Sequence, residues 1–348
     1  MKLGVNMDCY RQSLYAGSMT ADSCVHEIGS IPGVTGLDAT AQALIPGYPE
    51  VSDSFLAWWE ENLAAYHLTP VTLGSTTDRL RFRTHVMDIQ ETADALRTDL
   101  ELAHRLGFRN LRVTHDIPLD AVEIVLPAAE EYDIVLLDEL MPPSSIRPQI
   151  GRKGMDCTND LALIERTGTR HFGFVVNLGL FQTEPNPTQI LDVLLETKSS
   201  LQASLEFDEI MASFHSLHFP DFEVWMRERY PALTANRELF GRMFGVRIPG
   251  ESVPPSDLKL IAPHIHDVYA KYIFLTSEPR SPVEWVEPSI SYSDVIWALR
   301  DAGYEGYLTS LRMSAPTLSL GRDRTQEDIS EEEIAQVRRH QEMLRYLI

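Results

Sequence analysis

Cysteine is scarce. Cys9, Cys24 and Cys157 are spread over 348 residues, too few and too scattered for a disulfide framework or a zinc knuckle. Positive charge is short as well: 30 Lys and Arg stand against 51 Asp and Glu, a formal net charge of −21. That balance argues against binding nucleic acid or an anionic membrane through charge. No apolar run reaches the roughly 18 residues that a membrane-spanning helix needs. Met1–Lys2–Leu3 leads straight into strand-like sequence with no secretory signal, so a reducing, cytoplasmic location is expected. A glycine-rich phosphate turn is also missing after the first strand, where "NMDCYRQS" stands. This counts against a doubly wound nucleotide-binding sheet.

What is present alternates between two periods. Eight short β-branched or apolar runs read as strands: 2–8, 33–39, 68–75, 110–116, 133–139, 172–178, 268–275 and 306–312. Between them lie stretches with helical spacing. The segment 52–67 opens on a Ser/Asp cap, and 119–132 follows the same logic. The segment 88–107 places Ala93, Leu96, Leu100, Ala103 and Leu106 on one face and stops at Gly107. Eight alternating strand–helix units predict a single (β/α)8 TIM barrel over residues 1–348. Residues 187–262 interrupt the rhythm with helix after helix between the sixth and seventh strands. They are expected to form an insertion or lid at the catalytic rim.

In such a barrel the chemistry sits at the C-terminal strand ends. The polar residues expected there are Asp8, Asp38, Ser75, His115, Glu139, Asn177, Lys271 and Arg312. His115 can act as acid or base near neutral pH; the plainer reading is a hydrogen-bonded rim histidine. Glu139 ends an apolar strand, where partial burial makes a carboxylate a better base. The alternative is a structural ion pair with Lys271 or Arg312. Lys271 can polarise a substrate carbonyl as a fixed cation. In the cluster His215, His218 and Asp221 the spacing could place both histidines on one helical face, as in some metal sites, but a plain surface or rim helix is the more economical reading. "HIH" at 264–266 reads as capping or packing ahead of the seventh strand, and Trp58–Trp59 as helix-to-barrel packing.

The stretches "LIPGYPEVSDSFLAWWEENLAAY", "DLELAHRLGFRNLRV", "VLPAAEEYDIVLLDELMPP", "FGFVVNLGLF", "HIHDVYAKY" and "ISYSDVIWALRDAGYEGYLTS" resemble the sugar phosphate isomerase/epimerase superfamily, the xylose-isomerase-like barrels. Within it the likeness is to the α subunit of C-glycoside deglycosidases. The resemblance implies a divalent metal, Mn or Mg, at the barrel mouth. Its ligands would be a Glu on the fifth strand, an Asp on the sixth, a His on the seventh and a Glu on the eighth. Carried over, these positions fall at Glu139, Asn177, Tyr269 and Leu311. A histidine that the subgroup places two residues past the fifth-strand Glu falls at Met141. One carboxylate then remains, so no tightly bound metal is expected.

Two functions follow as expectations. The first is a sugar-directed lyase or isomerase, acting on a 3-oxo-glycoside by proton abstraction beside a carbonyl. Glu139, His115 and Lys271 would be catalytic, with Asn177, Tyr269, Arg312 and Asp38 binding substrate. The second is a non-catalytic barrel that binds a glycoside or supports an active partner, its mouth filled by Leu311, Met141 and Met313. Either would work as a homo- or hetero-oligomer, with a small β-rich subunit as the implied partner.

Overall fold

The structure, a computed structural model, describes residues 1–75, 77–114, 117–142, 144–148, 156–217, 219–244, 253–278, 283–312 and 325–348. Eight parallel strands close into a barrel: β1 (Lys2–Asn6), β2 (Val34–Thr40), β3 (Thr69–Gly74), β4 (Asn110–Val113), β5 (Val135–Leu140), β6 (Phe172–Asn177), β7 (Ile265–Tyr272) and β8 (Tyr307–Arg312). Each strand pairs with its neighbour in sequence, and β8 returns to β1. This is the TIM-barrel order, and parallel closure leaves no free sheet edge.

Side-chain alternation sorts each strand into two sets. On β6, Phe172, Phe174 and Val176 join the large core between barrel and helices. Val175 instead joins Leu137, Tyr269, Val135 and Leu311 in a small cluster inside the barrel. The helices follow the expected caps. Ser52 Oγ accepts from the Phe55 amide to start Asp53–Tyr66. Asp88 and Glu91 form a reciprocal capping box at the head of Ile89–Arg105. The apolar face of that helix buries Ala93, Leu96, Leu100 and Ala103 completely, and each leucine contributes about 2 kcal/mol.

The seventh strand begins earlier than its sequence suggests. It runs Ile265–Tyr272, so His266 lies within it and only His264 belongs to the preceding 3-10 turn. The parity is unchanged: Asp267, Tyr269 and Lys271 point inward. His266 packs beside Gly173, where an added Cβ would lie 2.6 Å from its ring.

Between β6 and β7 run the helices Pro187–Thr197, Ser200–Ser216, Phe219–Arg229, Pro231–Ala235 and Arg237–Phe244. They have a core of their own, with Ile190, Leu194, Ile210, Phe222, Met226 and Phe244 buried together. Glu287 ties the foot of this segment to the chain after β7. Its carboxylate accepts from Asn186 Nδ2 at 2.9 Å, from the Ile273 amide at 2.8 Å and from the Ser289 amide at 3.0 Å. The helix carrying His215 ends at Ser216. His215 lies 3.7 Å from Glu184, while His218 is outside the described residues. Among the described residues no helix is long and apolar enough to cross a membrane.

Candidate active site at the barrel mouth

Glu139 is the next-to-last residue of β5 and Asn177 the last of β6. Both point inward and both are buried. Asn177 Nδ2 donates to Glu139 Oε1 at 2.7 Å. The amide orientation is fixed from its other end, because the Gly179 N–H donates to Asn177 Oδ1 at 3.0 Å. The second carboxylate oxygen of Glu139 faces Arg112 of β4, with Nε at 3.7 Å. Gly74 makes room for that guanidinium. A Cβ there would lie 2.7 Å from Arg112 Nη2, so any larger residue on β3 would displace it.

Arg112 also meets the phenol of Tyr269. Burial opposes its charge, but Glu139, Tyr269 and Asp8 hold its pKa above the ordinary arginine value. Burial pushes the Tyr269 phenol well above its ordinary value, and the Asp38 carboxyl adds to this; the phenol therefore stays protonated. Lys271 lies one inward position beyond Tyr269 on β7. Only 9% of it is exposed, and among the described residues its ammonium has no hydrogen-bond or ion-pair partner. Burial pushes its ammonium below the ordinary lysine range, and Glu139 partly restores it. Its Nζ reaches the turn after β6, 3.4 Å from where a Cβ on Gly179 would stand. Leu311 pairs with Lys271 in register and packs in the cluster of Tyr269, Leu137 and Val175.

A divalent ion does not fit this donor set. One oxygen of Glu139 is taken by an amide N–H, and the other faces a guanidinium. A further charge that acts on Glu139, that of Lys271, is also positive. Hard cations need several oxygen ligands directed at one point. Among the described residues no three His, Cys, Asp or Glu side chains come together in that way.

The remaining sequence candidates separate. Asp38 is completely buried lower in the barrel, accepts from the Thr72 amide at 3.2 Å and faces Asp267; it is not a rim residue. Arg312 points the other way. It lies 3.8 Å from Glu333 of the C-terminal helix Gln326–Leu347, because its parity on β8 matches Ser310, which also bonds that helix. Glu139 is therefore paired with neither Lys271 nor Arg312. Ser75 donates to Asp99 at 2.5 Å, and Asp8 is paired with Arg11 at 2.7 Å. His115, Asp116 and Met313 lie outside the described residues. Two residues were missed, Arg112 and Asp267. Their signal was present: a charged residue in mid-strand, at the parity of inward neighbours, has no other place in a closed barrel.

No family model matches the chain. Curated relatives do. The chain is 24% identical over 324 residues to the 3'-dehydrocarminate deglycosidase alpha subunit of a Microbacterium species, covering 89% of this chain and 87% of that protein. It is 23% identical over 319 residues to a C-glycoside deglycosidase alpha subunit of Arthrobacter globiformis, covering 89% and 84%. Among solved structures, D-allulose 3-epimerase from Methylomonas sp. aligns with a TM-score of 0.54 at 11% identity, over 100% of this chain and 98% of that one. A sugar phosphate isomerase/epimerase from Parabacteroides distasonis gives 0.50 at 10% identity, over 97% and 93%. In sequence the chain is similar to C-glycoside deglycosidase alpha subunits. In fold it is a TIM barrel like the xylose-isomerase-like epimerases.

Proposed function

We propose that this chain is a carbohydrate-acting enzyme that removes a proton from the carbon beside a sugar carbonyl, on an oxidised 3-oxo-glycoside, without a tightly bound metal. The observation that carries the reading is the presence at the mouth of a carboxylate, Glu139, and a buried ammonium, that of Lys271, which feels its charge but has no hydrogen-bond or ion-pair partner among the described residues. Glu139 takes the proton. The C–H electron pair forms the enediolate double bond, and the carbonyl oxygen becomes the oxyanion. Lys271 and Arg112 stabilise that charge as fixed cations in a site largely removed from water. Return of the electron pair then breaks the bond to the aglycone, which leaves with the pair and takes up a proton. The base is needed in its charged form, and Asn177 holds it at the mouth by donating to it.

The curated relatives are named alpha subunits, which supports a partner subunit for this chain too. The helices after β6 are suited to cover the mouth as a lid. A second reading, a barrel that supports an active partner without catalysis of its own, is favoured by Leu311, whose apolar side chain packs beside Tyr269 inside the barrel.

Exchange of the acidic C–H of 3-oxo-glycosides in D2O, followed by NMR with and without EDTA, tests the proposal. Glu139→Gln is expected to lower exchange by about 100-fold or more, with EDTA without effect. Exchange equal in Glu139→Gln and wild type would overturn Glu139 as the base. No exchange on any substrate, even with a partner subunit present, would favour the non-catalytic barrel.

A further inference from the structure

Below the mouth, two carboxyl groups meet across the barrel. Asp38 of β2 and Asp267 of β7 are both completely buried. Asp267 is saturated with donors: Thr72 Oγ1 at 2.7 Å, the Val268 amide at 2.8 Å and Thr309 Oγ1 at 3.3 Å. Such a set of donors suits a carboxylate. Asp38 accepts the Thr72 amide on Oδ1, while its Oδ2 receives no donor from any described residue. Thr72 joins the two, its amide donating to Asp38 Oδ1 and its hydroxyl to Asp267 Oδ2, so the two carboxyl groups lie against one residue in a space closed to water. Two neighbouring carboxyl groups closed off from water do not both ionise, and the bare Oδ2 is where Asp38 would carry the proton.

We infer that Asp38 and Asp267 hold a single shared proton at the barrel floor, resident on Asp38, and that the pair acts as a positioning element with one negative charge beneath Arg112 and Tyr269. The charged and titratable groups around it are few. Arg112 faces it from β4 and Tyr269 from β7. Tyr304, just before β8, faces it from below. Gly4, Thr72 and Thr309 line β1, β3 and β8 at this level, and Leu137 and Val175 of β5 and β6 pack on Tyr269; none of these titrates.

With one proton in place, the pair and Glu139 carry two negative charges against the two positive charges of Arg112 and Lys271. Among the described residues these charges then balance without an added ion, Asp8 being paired with Arg11. Losing the proton would leave one excess charge in a closed, dry space, which is costly. The single charge that remains also disfavours a tyrosinate at Tyr269, so the phenol is kept as a hydrogen-bond donor at the base of the site.

Burial and Asp267 push the Asp38 carboxyl well above the usual carboxylate range, which gives the sign of the test. The folded state keeps a proton that the unfolded chain releases near pH 4. Wild-type stability therefore falls as pH rises above that value, by about tenfold in the folding equilibrium constant per pH unit, until the folded pair loses its proton. Asp38→Asn replaces the protonated acid by an amide that can still donate to Asp267, without a proton to lose. The experiment is urea unfolding from pH 5 to 8 on wild type, Asp38→Asn and Asp38→Ala, with infrared difference spectra of wild type against Asp38→Asn at pH 7. The expected result is a protonated-carboxyl carbonyl band present only in wild type. The stability of Asp38→Asn relative to wild type should climb with pH, and Asp38→Ala should be destabilised throughout. The absence of that band, or a difference between wild type and Asp38→Asn that is flat with pH, would overturn the inference. Should Asp38→Asn fail to fold, the infrared band of the wild type, compared across a pH titration, decides alone.

Discussion

Replacing Arg112 by Met removes the cation that links the mouth carboxylate to the tyrosine beneath it. Its Nε is 3.7 Å from Glu139 Oε2, and the side chains are 16% and 11% exposed. At that distance and an effective dielectric near 20, the attraction is about 4 kcal/mol. Much of this offsets the desolvation of the two charges. Deleting one partner does not recover that cost, because the other charge stays buried. Breaking such a pair typically costs 3–5 kcal/mol. Lys271 remains nearby as a second cation, so the lower end, about 3 kcal/mol, is expected. Methionine keeps most of the volume over Gly74, which limits any cavity contribution. Urea unfolding followed by circular dichroism measures the loss. A double-mutant cycle with Glu139→Gln isolates the pair: Glu139→Gln should be much less harmful in the Arg112→Met background. Additive effects, or a loss below about 0.5 kcal/mol for Arg112→Met, would refute the view that this pair organises the mouth.

His340 is completely buried in the C-terminal helix. Tyr292 O–H donates to the Lys271 carbonyl at 2.7 Å, so His340 Nε2–H must donate to Tyr292, while Nδ1 accepts from Ser310. Burial lowers its pKa from 6.5 to about 3. Its contribution is complete above pH 6.5 and lost as pH falls towards 3; wild type should lose about 2 kcal/mol more than His340→Gln between pH 6.5 and 5, and parallel pH curves would refute this. Arg312→Met should lower stability by about 2–4 kcal/mol through its buried pair with Glu333 and leave substrate KM unchanged; a raised KM would return Arg312 to the site. Elemental analysis of protein purified without added metal should find much less than one Mn, Mg or Zn per chain, and EDTA should leave the melting temperature unchanged. A stoichiometric metal lost together with Glu139 would contradict the donor-set argument.

Some of this was open to reading from the chain itself. The barrel was legible because parallel strands and their covering helices write two different periods, and eight repeats of that pattern have few other folds. The helix at 119–132 and the cap at Ser52 were local facts, set by residues within a turn of one another. Glu139 and Asn177, bonded to each other, and Tyr269 and Leu311, packed together, were singled out as one set only through a resemblance to a known family. What local sequence could not decide was parity and depth. Arg312 and Leu311 are adjacent, and one residue of register sends one to Glu333 and the other into the barrel. The start of β7 was misjudged because His264–His266 looks like a cap, whereas pairing with β6 draws Ile265 into the sheet. Arg112, Asp38 and Asp267 come from three strands far apart in sequence. Their charges are tolerated only because closure of the barrel brings them together, and no local propensity encodes a partner that arrives from across a closed sheet.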